Sequence, residues 1–225
     1  MFIRTLMILL RLPKIRVPRF SRLLAVLLAC LLCGPALRAG ENPPPPPPLP
    51  PPAPAWNRFD FSFETGVTFG LDNPNHYITT PEILTLAWQP KPPERFFHTP
   101  FTFSRQWLLS ADIVAIPQGP ESHYFGLGVG VRAIMAKPGS RFSVYYDGRF
   151  VVGFIDSTGP PAGQGQDLTF SPLVSAGVQY EISRRFKVSL GALYEHFSNA
   201  GLSEPQVKNV GLNTIGPKFE FSYSF

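Results

Sequence analysis

From Trp56 to its C-terminus the chain repeats one pattern: apolar side chains at every second position, opposed by polar or small ones, in runs separated by Gly, Pro, Asn and Asp clusters. Successive side chains of a strand point to opposite sides. A period of two therefore writes a two-faced β-strand, and it excludes an amphipathic helix, whose apolar positions recur every three or four residues. The first run sets Phe59, Phe61, Phe63, Val67 and Phe69 against Arg58, Asp60, Ser62 and Glu64, and a shorter second carries Leu84, Leu86 and Trp88. The third opposes Phe101, Phe103, Trp107, Leu109 and Ile113 to Thr102, Ser104, Gln106, Ser110 and Asp112. The fourth opposes Phe125, Leu127, Val129 and Val131 to Gly126, Gly128, Gly130 and Arg132. The fifth sets Val144, Tyr146, Phe150 and Val152 against Ser143, Asp147 and Arg149, and the sixth sets Phe170, Val174 and Val178 against Thr169, Ser171 and Ser175. Two more follow, one over residues 186–198 and one alternating through Phe219, Phe221 and Tyr223 to Phe225.

Eight amphipathic strands, several longer than the five or six residues usual in soluble proteins, fit the smallest class of membrane barrel. The expected fold is all-β: an eight-stranded antiparallel transmembrane β-barrel over residues 57–225. A soluble periplasmic β-sandwich would not place Arg132, Asp147, Arg149, Glu181, Lys187 and Glu195 opposite its apolar faces. In a barrel these charges point inward, where eight strands leave room only for side chains, so they read as a salt-bridged plug rather than a channel. The three glycines of the fourth run read as room for bulky interior neighbours, since no helix follows to make a phosphate loop. Residues 136–140 and 183–185 read as tight periplasmic turns, and residues 70–81, 117–122, 156–166 and 200–208 as longer outer loops. The Pro-rich connection at residues 89–100 is too long for the side on which it falls.

Two N-terminal segments stand outside this fold. Residues 1–39 read as a signal peptide: a long basic lead from Arg4 to Arg22, then an apolar run too short for the roughly 20 residues that cross a bilayer. Residues 40–56 read as a linker in which proline alone predominates, which favours a stiff polyproline rod. Both cysteines, Cys30 and Cys33, fall in the first segment, so no disulfide or thiolate chemistry is expected of the barrel. The net charge of +5 owes much to the same segment, and the remaining basic residues are scattered, which excludes a nucleic-acid surface. His76, His98 and His123 are dispersed, so neither a metal nor another cofactor is expected.

One stretch carries chemistry. His196 and Ser198 lie two apart in the seventh strand, so a base and a hydroxyl share the face that also bears Phe186, Val188, Leu190 and Tyr194. Serine attacks only when a neighbouring base accepts its proton, and the base in turn needs a third group to orient it. Counting back from Phe225 in steps of two places Asn213 and Asn209 on the same face, near the height of the pair. Apolar contact beside the pair is expected from Tyr194, Phe197 or the aromatics of the last strand.

The run His196-Phe197-Ser198-Asn199-Ala200-Gly201-Leu202, with Pro205 and then Asn209-Val210-Gly211-Leu212-Asn213, resembles the active-site segment of the lipid A 3-O-deacylase (acyloxyacyl hydrolase) family of outer-membrane barrels. The stretches Phe170-Ser171-Pro172 and Tyr145 to Phe154 are similar to that family as well. The resemblance implies a serine esterase, exported to the outer membrane, that removes an ester-linked acyl chain from lipid A of lipopolysaccharide. It implies Ser198 as nucleophile and His196 as general base, with Asn209 or the backbone amides around Asn199 to Gly201 serving the oxyanion. The family carries an acidic residue where this chain has Asn213, so either Asn213 orients the imidazole through its amide oxygen or Glu204 takes that place. The rival within the same fold is a non-catalytic anchor or adhesin with a vestigial site. The sequence leaves homodimerisation open.

Overall fold

The computed structural model describes residues 58–71, 76–157 and 163–225. The signal peptide and the proline linker expected above lie outside the described residues. Ten strand segments follow in order: β1 (Arg58–Gly66), β2 (Thr68–Leu71), β3 (Ile78–Gln89), β4 (Glu94–Arg95), β5 (Thr102–Gln118), β6 (His123–Ala136), β7 (Phe142–Ile155), β8 (Leu168–Glu181), β9 (Phe186–Phe197) and β10 (Leu212–Ser224). Every neighbouring pair is antiparallel, and β10 returns to β1 and β2, so the sheet closes on itself. Closure satisfies every strand's backbone groups and leaves no open edge, a requirement inside hydrocarbon.

β1 and β2 are two halves of one stave, since both pair with β3 on one side and β10 on the other. The break falls at Val67, whose N–H reaches the carbonyl of Pro217 at 3.3 Å. Pro217 has no N–H to return, so the ladder thins there. β4 is a two-residue extension paired with Thr102 and Phe103 of β5. The eight staves are thus β1 with β2, β3 and β5 to β10, as the alternation predicts. Two boundaries differ. β3 begins at Ile78 and runs through Pro81, which the sequence pattern assigns to a loop, and residues 89–100 fold back on β5, which accounts for their length.

The two faces of the staves separate by polarity. Phe61, Phe63, Leu84, Leu86, Trp107, Leu109, Leu127, Val129, Phe150 and Leu190 stay exposed and form the apolar belt of a membrane-spanning barrel. At the inner end Phe59 stacks between Trp88 and Phe225, with centroids 6.5 and 6.1 Å away, as in an interfacial aromatic girdle. Inside, Arg132 grips Glu220 with two bonds of 2.6 and 2.8 Å and reaches Asp147 at 3.0 Å. Arg149 donates to Glu64 at 2.6 Å, and Lys218 donates to the same carboxylate. Lys187 joins Asp60 at 2.7 Å. Gly130 leaves room for this network, because a Cβ there would stand 2.7 Å from Cγ of Arg149. Glu195 takes a hydrogen bond from Ser171 at 2.6 Å and joins none of the ion pairs; Glu64, from the polar face of the first run, does join them, and Lys218 and Glu220 are members that the sequence reading did not single out.

Candidate functional site on the lipid-facing wall

The outer end of β9 turns out of the barrel through a short irregular run. Ser198 continues the strand by one bridge to β8, exchanging backbone hydrogen bonds of 2.8 and 3.0 Å with Phe170. Ala200 and Gly201 then take φ values of 55° and 78°, a left-handed pair that reverses the chain. The reversal directs the Ala200 N–H at the Ser198 hydroxyl, 3.1 Å away. Asn199 points inward and is fully buried; its oxygen accepts from the Gly201 N–H at 2.9 Å and its amide donates to Ser203 at 2.8 Å. Asn199 therefore holds the turn together, and the Gly201 N–H is spent on it.

His196 lies directly across from Asn213 in the β9–β10 register. Its Nδ1 stands 2.8 Å from Oδ1 of Asn213, an acceptor, which requires the proton on Nδ1, so that in the neutral ring Nε2 is the free acceptor. The Tyr194 hydroxyl donates to the same oxygen at 2.7 Å. Gly211 gives the ring its space, since a Cβ there would come within 3.1 Å of Cε1. Asn209 lies outside the last strand, which starts only at Leu212, yet its side-chain amide donates to the Ser198 hydroxyl at 2.9 Å. Glu204 is exposed and accepts from the Asn209 N–H at 3.4 Å; its carboxylate is engaged there and not with His196. The bond between His196 Nε2 and Ser198 is not formed, and the hydroxyl accepts from Asn209 and Ala200 instead.

These groups face outward, on the same side as the apolar belt. A shallow groove of about 410 Å³ begins at His196, Ser198 and Ala200 and is walled by Phe150, Phe170 and Pro172 of β7 and β8. The rings of Phe150 and Phe170 stack at 5.9 Å. Phe197, expected as an apolar contact beside the pair, is instead fully buried in the barrel against Tyr124, because it stands one residue out of step with Tyr194 and His196. No cluster of three or more His, Cys, Asp or Glu that could hold a metal occurs among the described residues.

Fold and site together define a membrane-spanning barrel with a hydroxyl, an imidazole and an amide in a row on its outer wall, above an apolar groove. The family model for lipid A 3-O-deacylase (PagL) matches residues 84–223, and the chain belongs to that family. Among solved structures it is similar to the outer membrane enzyme PagL, with 21% identity, 72% of this chain and 97% of that one covered, and a TM-score of 0.49. It is also similar to Neisserial surface protein A, with 12% identity, coverage of 72% and 95%, and a TM-score of 0.46. A search of curated proteins finds no match.

Proposed function

We propose that the protein is an outer-membrane serine esterase that hydrolyses an ester-linked acyl chain of lipid A, with Ser198 as nucleophile, His196 as general base and Asn213 as the group that orients the base. The observation that carries this reading is the 2.8 Å contact between Asn213 and His196 beside the Ser198 hydroxyl on the lipid-facing wall. An amphiphile whose chains stay in the bilayer is reached from the side, and a nucleophile on the outside of a barrel needs no extraction step. The acyl chain lies in the groove walled by Phe150, Phe170 and Pro172.

In the reaction the Ser198 oxygen bonds to the ester carbonyl carbon while its proton passes to Nε2 of His196. The carbonyl oxygen becomes an oxyanion, for which the Asn209 amide and the Ala200 N–H, both already within 3.1 Å of the attacking oxygen, are the nearest donors. Collapse breaks the bond to the sugar oxygen, which leaves with the proton from His196. Water, deprotonated by the same imidazole, then bonds to the acyl carbon; the bond to the Ser198 oxygen breaks, that oxygen takes the proton back from His196, and the free fatty acid leaves. A substrate that displaces the Asn209 contact frees the hydroxyl to turn toward His196, a bond that apo sites commonly leave unmade.

The test is direct. The purified barrel is incubated with unmodified lipid A in detergent and the lipid is weighed by mass spectrometry. Loss of one hydroxyacyl chain is expected with the native protein and none with Ser198→Ala or His196→Ala. An unchanged mass from a correctly folded native barrel would favour the non-catalytic reading, which the amide at position 213 in place of an acid supports.

A further inference from the structure

Glu121 and Gln164 have no place in the row around Ser198, yet they are buried to 2% and 1% exposure in two separate outer loops, residues 119–122 and 156–167. A carboxylate is rarely buried without a cation beside it. Glu121 has none among the described residues; it is held by the Tyr77 hydroxyl from the first outer loop and by the backbone N–H of Gln164 from the third. Burial, and then the bond to Glu121, push the Tyr77 phenol well above its ordinary pKa, so it remains a donor. Ser157 donates to the Gln164 carbonyl and steadies the same residue from within its own loop.

From this anchorage Gln164 reaches the fourth outer loop. Its Nε2 donates to the carbonyl of Val210 at 2.7 Å. The two loops also meet at Gly165, where a Cβ would stand 2.2 Å from the Ser203 hydroxyl oxygen, so a larger residue would have to push Ser203 aside. Val210 follows Asn209, whose amide lies 2.9 Å from the Ser198 hydroxyl. Neither residue belongs to a strand, since β10 begins at Leu212. The peptide next to Asn209 is therefore fixed by a side chain from another loop and not by the barrel's ladder.

We propose that Gln164 and Glu121 are positioning residues for the ester hydrolysis: Glu121 fixes Gln164, and Gln164 holds the Val210 carbonyl so that the Asn209 amide stays beside Ser198, where the oxyanion forms. The proposal rests on the reading of Ser198 as nucleophile and Asn209 as its neighbouring donor. Neither residue touches substrate. Their effect passes through Asn209 alone, and this separates them from residues that merely stabilise the loops.

The experiment uses the full barrel in detergent, with folding confirmed by heat-dependent migration on gels. Gln164→Ala is expected to lower kcat for lipid A deacylation about tenfold with KM changed less than twofold, a loss in keeping with a small misplacement of a reacting group. Glu121→Ala should do the same, while Glu121→Gln, which keeps an acceptor oxygen, recovers most of the rate. Gln164→Met fills a similar volume without the donor and serves if the alanine variant does not fold. In an Asn209→Ala background Gln164→Ala should cost less than a further twofold; losses that multiply would overturn the proposal. Independently of activity, the side-chain amide resonance of Asn209 in micelles should shift in Gln164→Ala, and an unmoved resonance would also overturn it. A native barrel inert on lipid A whose Asn209 resonance still moves would sink the esterase reading and leave the strut standing.

Discussion

An asparagine at position 213 meets the geometric demand on the third member of a hydrolytic row but not the electrostatic one. Its oxygen, 2.8 Å from Nδ1, selects the tautomer with a bare Nε2, as an acidic residue would. It lacks the negative charge that would stabilise the imidazolium formed in the proposed transfer of the Ser198 proton. Tyr194 supplies part of what is missing, because its hydroxyl donates to the same oxygen and pins the amide. Asn213→Glu is therefore expected to raise kcat by about tenfold or more, since wrong or weak orientation of the imidazole is among the costliest defects of such a row. Tyr194→Phe should slow the native enzyme several-fold and have little effect in the Asn213→Glu background, where the added charge holds the ring unaided. Steady-state kinetics of the single and double variants checks both. A slower Asn213→Glu enzyme would mean that position 213 does not orient His196.

At the scale of elements, the strand that carries the proposed nucleophile and base was legible and the loops around them were not. Parity along β9 puts His196 and Ser198 on one face, and counting back from Phe225 puts Asn213 opposite His196, because both follow from a period of two and a closed antiparallel register. The same parity places Phe197 inside, against the expectation that it would lie beside the pair. Counting put Asn209 near the pair, where its amide does meet Ser198, but as part of a strand that begins only at Leu212; no period governs the loop that carries it. The groove is walled by β7 and β8, whose lateral placement depends on registers that no single strand encodes. The turn after β9 depends on a left-handed Gly201 at φ 78°. Gly201→Ala is expected to cost about 1–2 kcal/mol, and Ala200→Gly to be neutral or stabilising, as read by urea unfolding in lipid vesicles. A second junction, between the loops after β5 and β7, rests on Asp156, which accepts from the Ser122 hydroxyl and from the N–H groups of Ser122 and His123 at 2.8 and 2.9 Å. Burial alone would raise its pKa, but the hydrogen bonds from Ser122 and His123 outweigh it and hold the carboxyl below its ordinary 3.8. A depressed folded pKa lends stability that is present above the unfolded value and lost as the pH falls through the folded one. The protection of the Ser122 and His123 amides against hydrogen exchange, taken relative to their intrinsic rates, should therefore fall below about pH 4 in the native barrel, and Asp156→Asn should show the lower protection already at neutral pH.

On the scale of the whole molecule, the interior decides whether the barrel conducts ions or only supports a site on its wall. Arg132, Arg149 and Lys218 face Glu64, Asp147 and Glu220, three cations against three carboxylates, linked by contacts of 2.6 to 3.4 Å and sealed from solvent. Their charges cancel within the network, and eight staves leave a lumen that such side chains fill. Four of the members, Glu64, Arg132, Asp147 and Arg149, stood opposite the apolar faces in the sequence, but the pairing spans β1, β6, β7 and β10 and needed the closed register to define it. The purified barrel is expected to show no stable conductance in planar bilayers. Arg132→Ala removes the cation that Glu220 grips twice and strands that carboxylate with Lys218 at 3.4 Å as its remaining ion-pair partner. Losing one partner of a buried pair typically costs about 3–5 kcal/mol, far more than the pair itself contributes over an apolar replacement. The variant should therefore unfold at markedly lower urea, and Arg132→Met with Glu220→Gln should recover much of that loss by removing both charges together. Steady pore-like currents from the native protein would show that the network is a filter and not a plug. An Arg132→Ala barrel as resistant to urea as the native one would show that solvent reaches these groups and that the wall alone carries the stability.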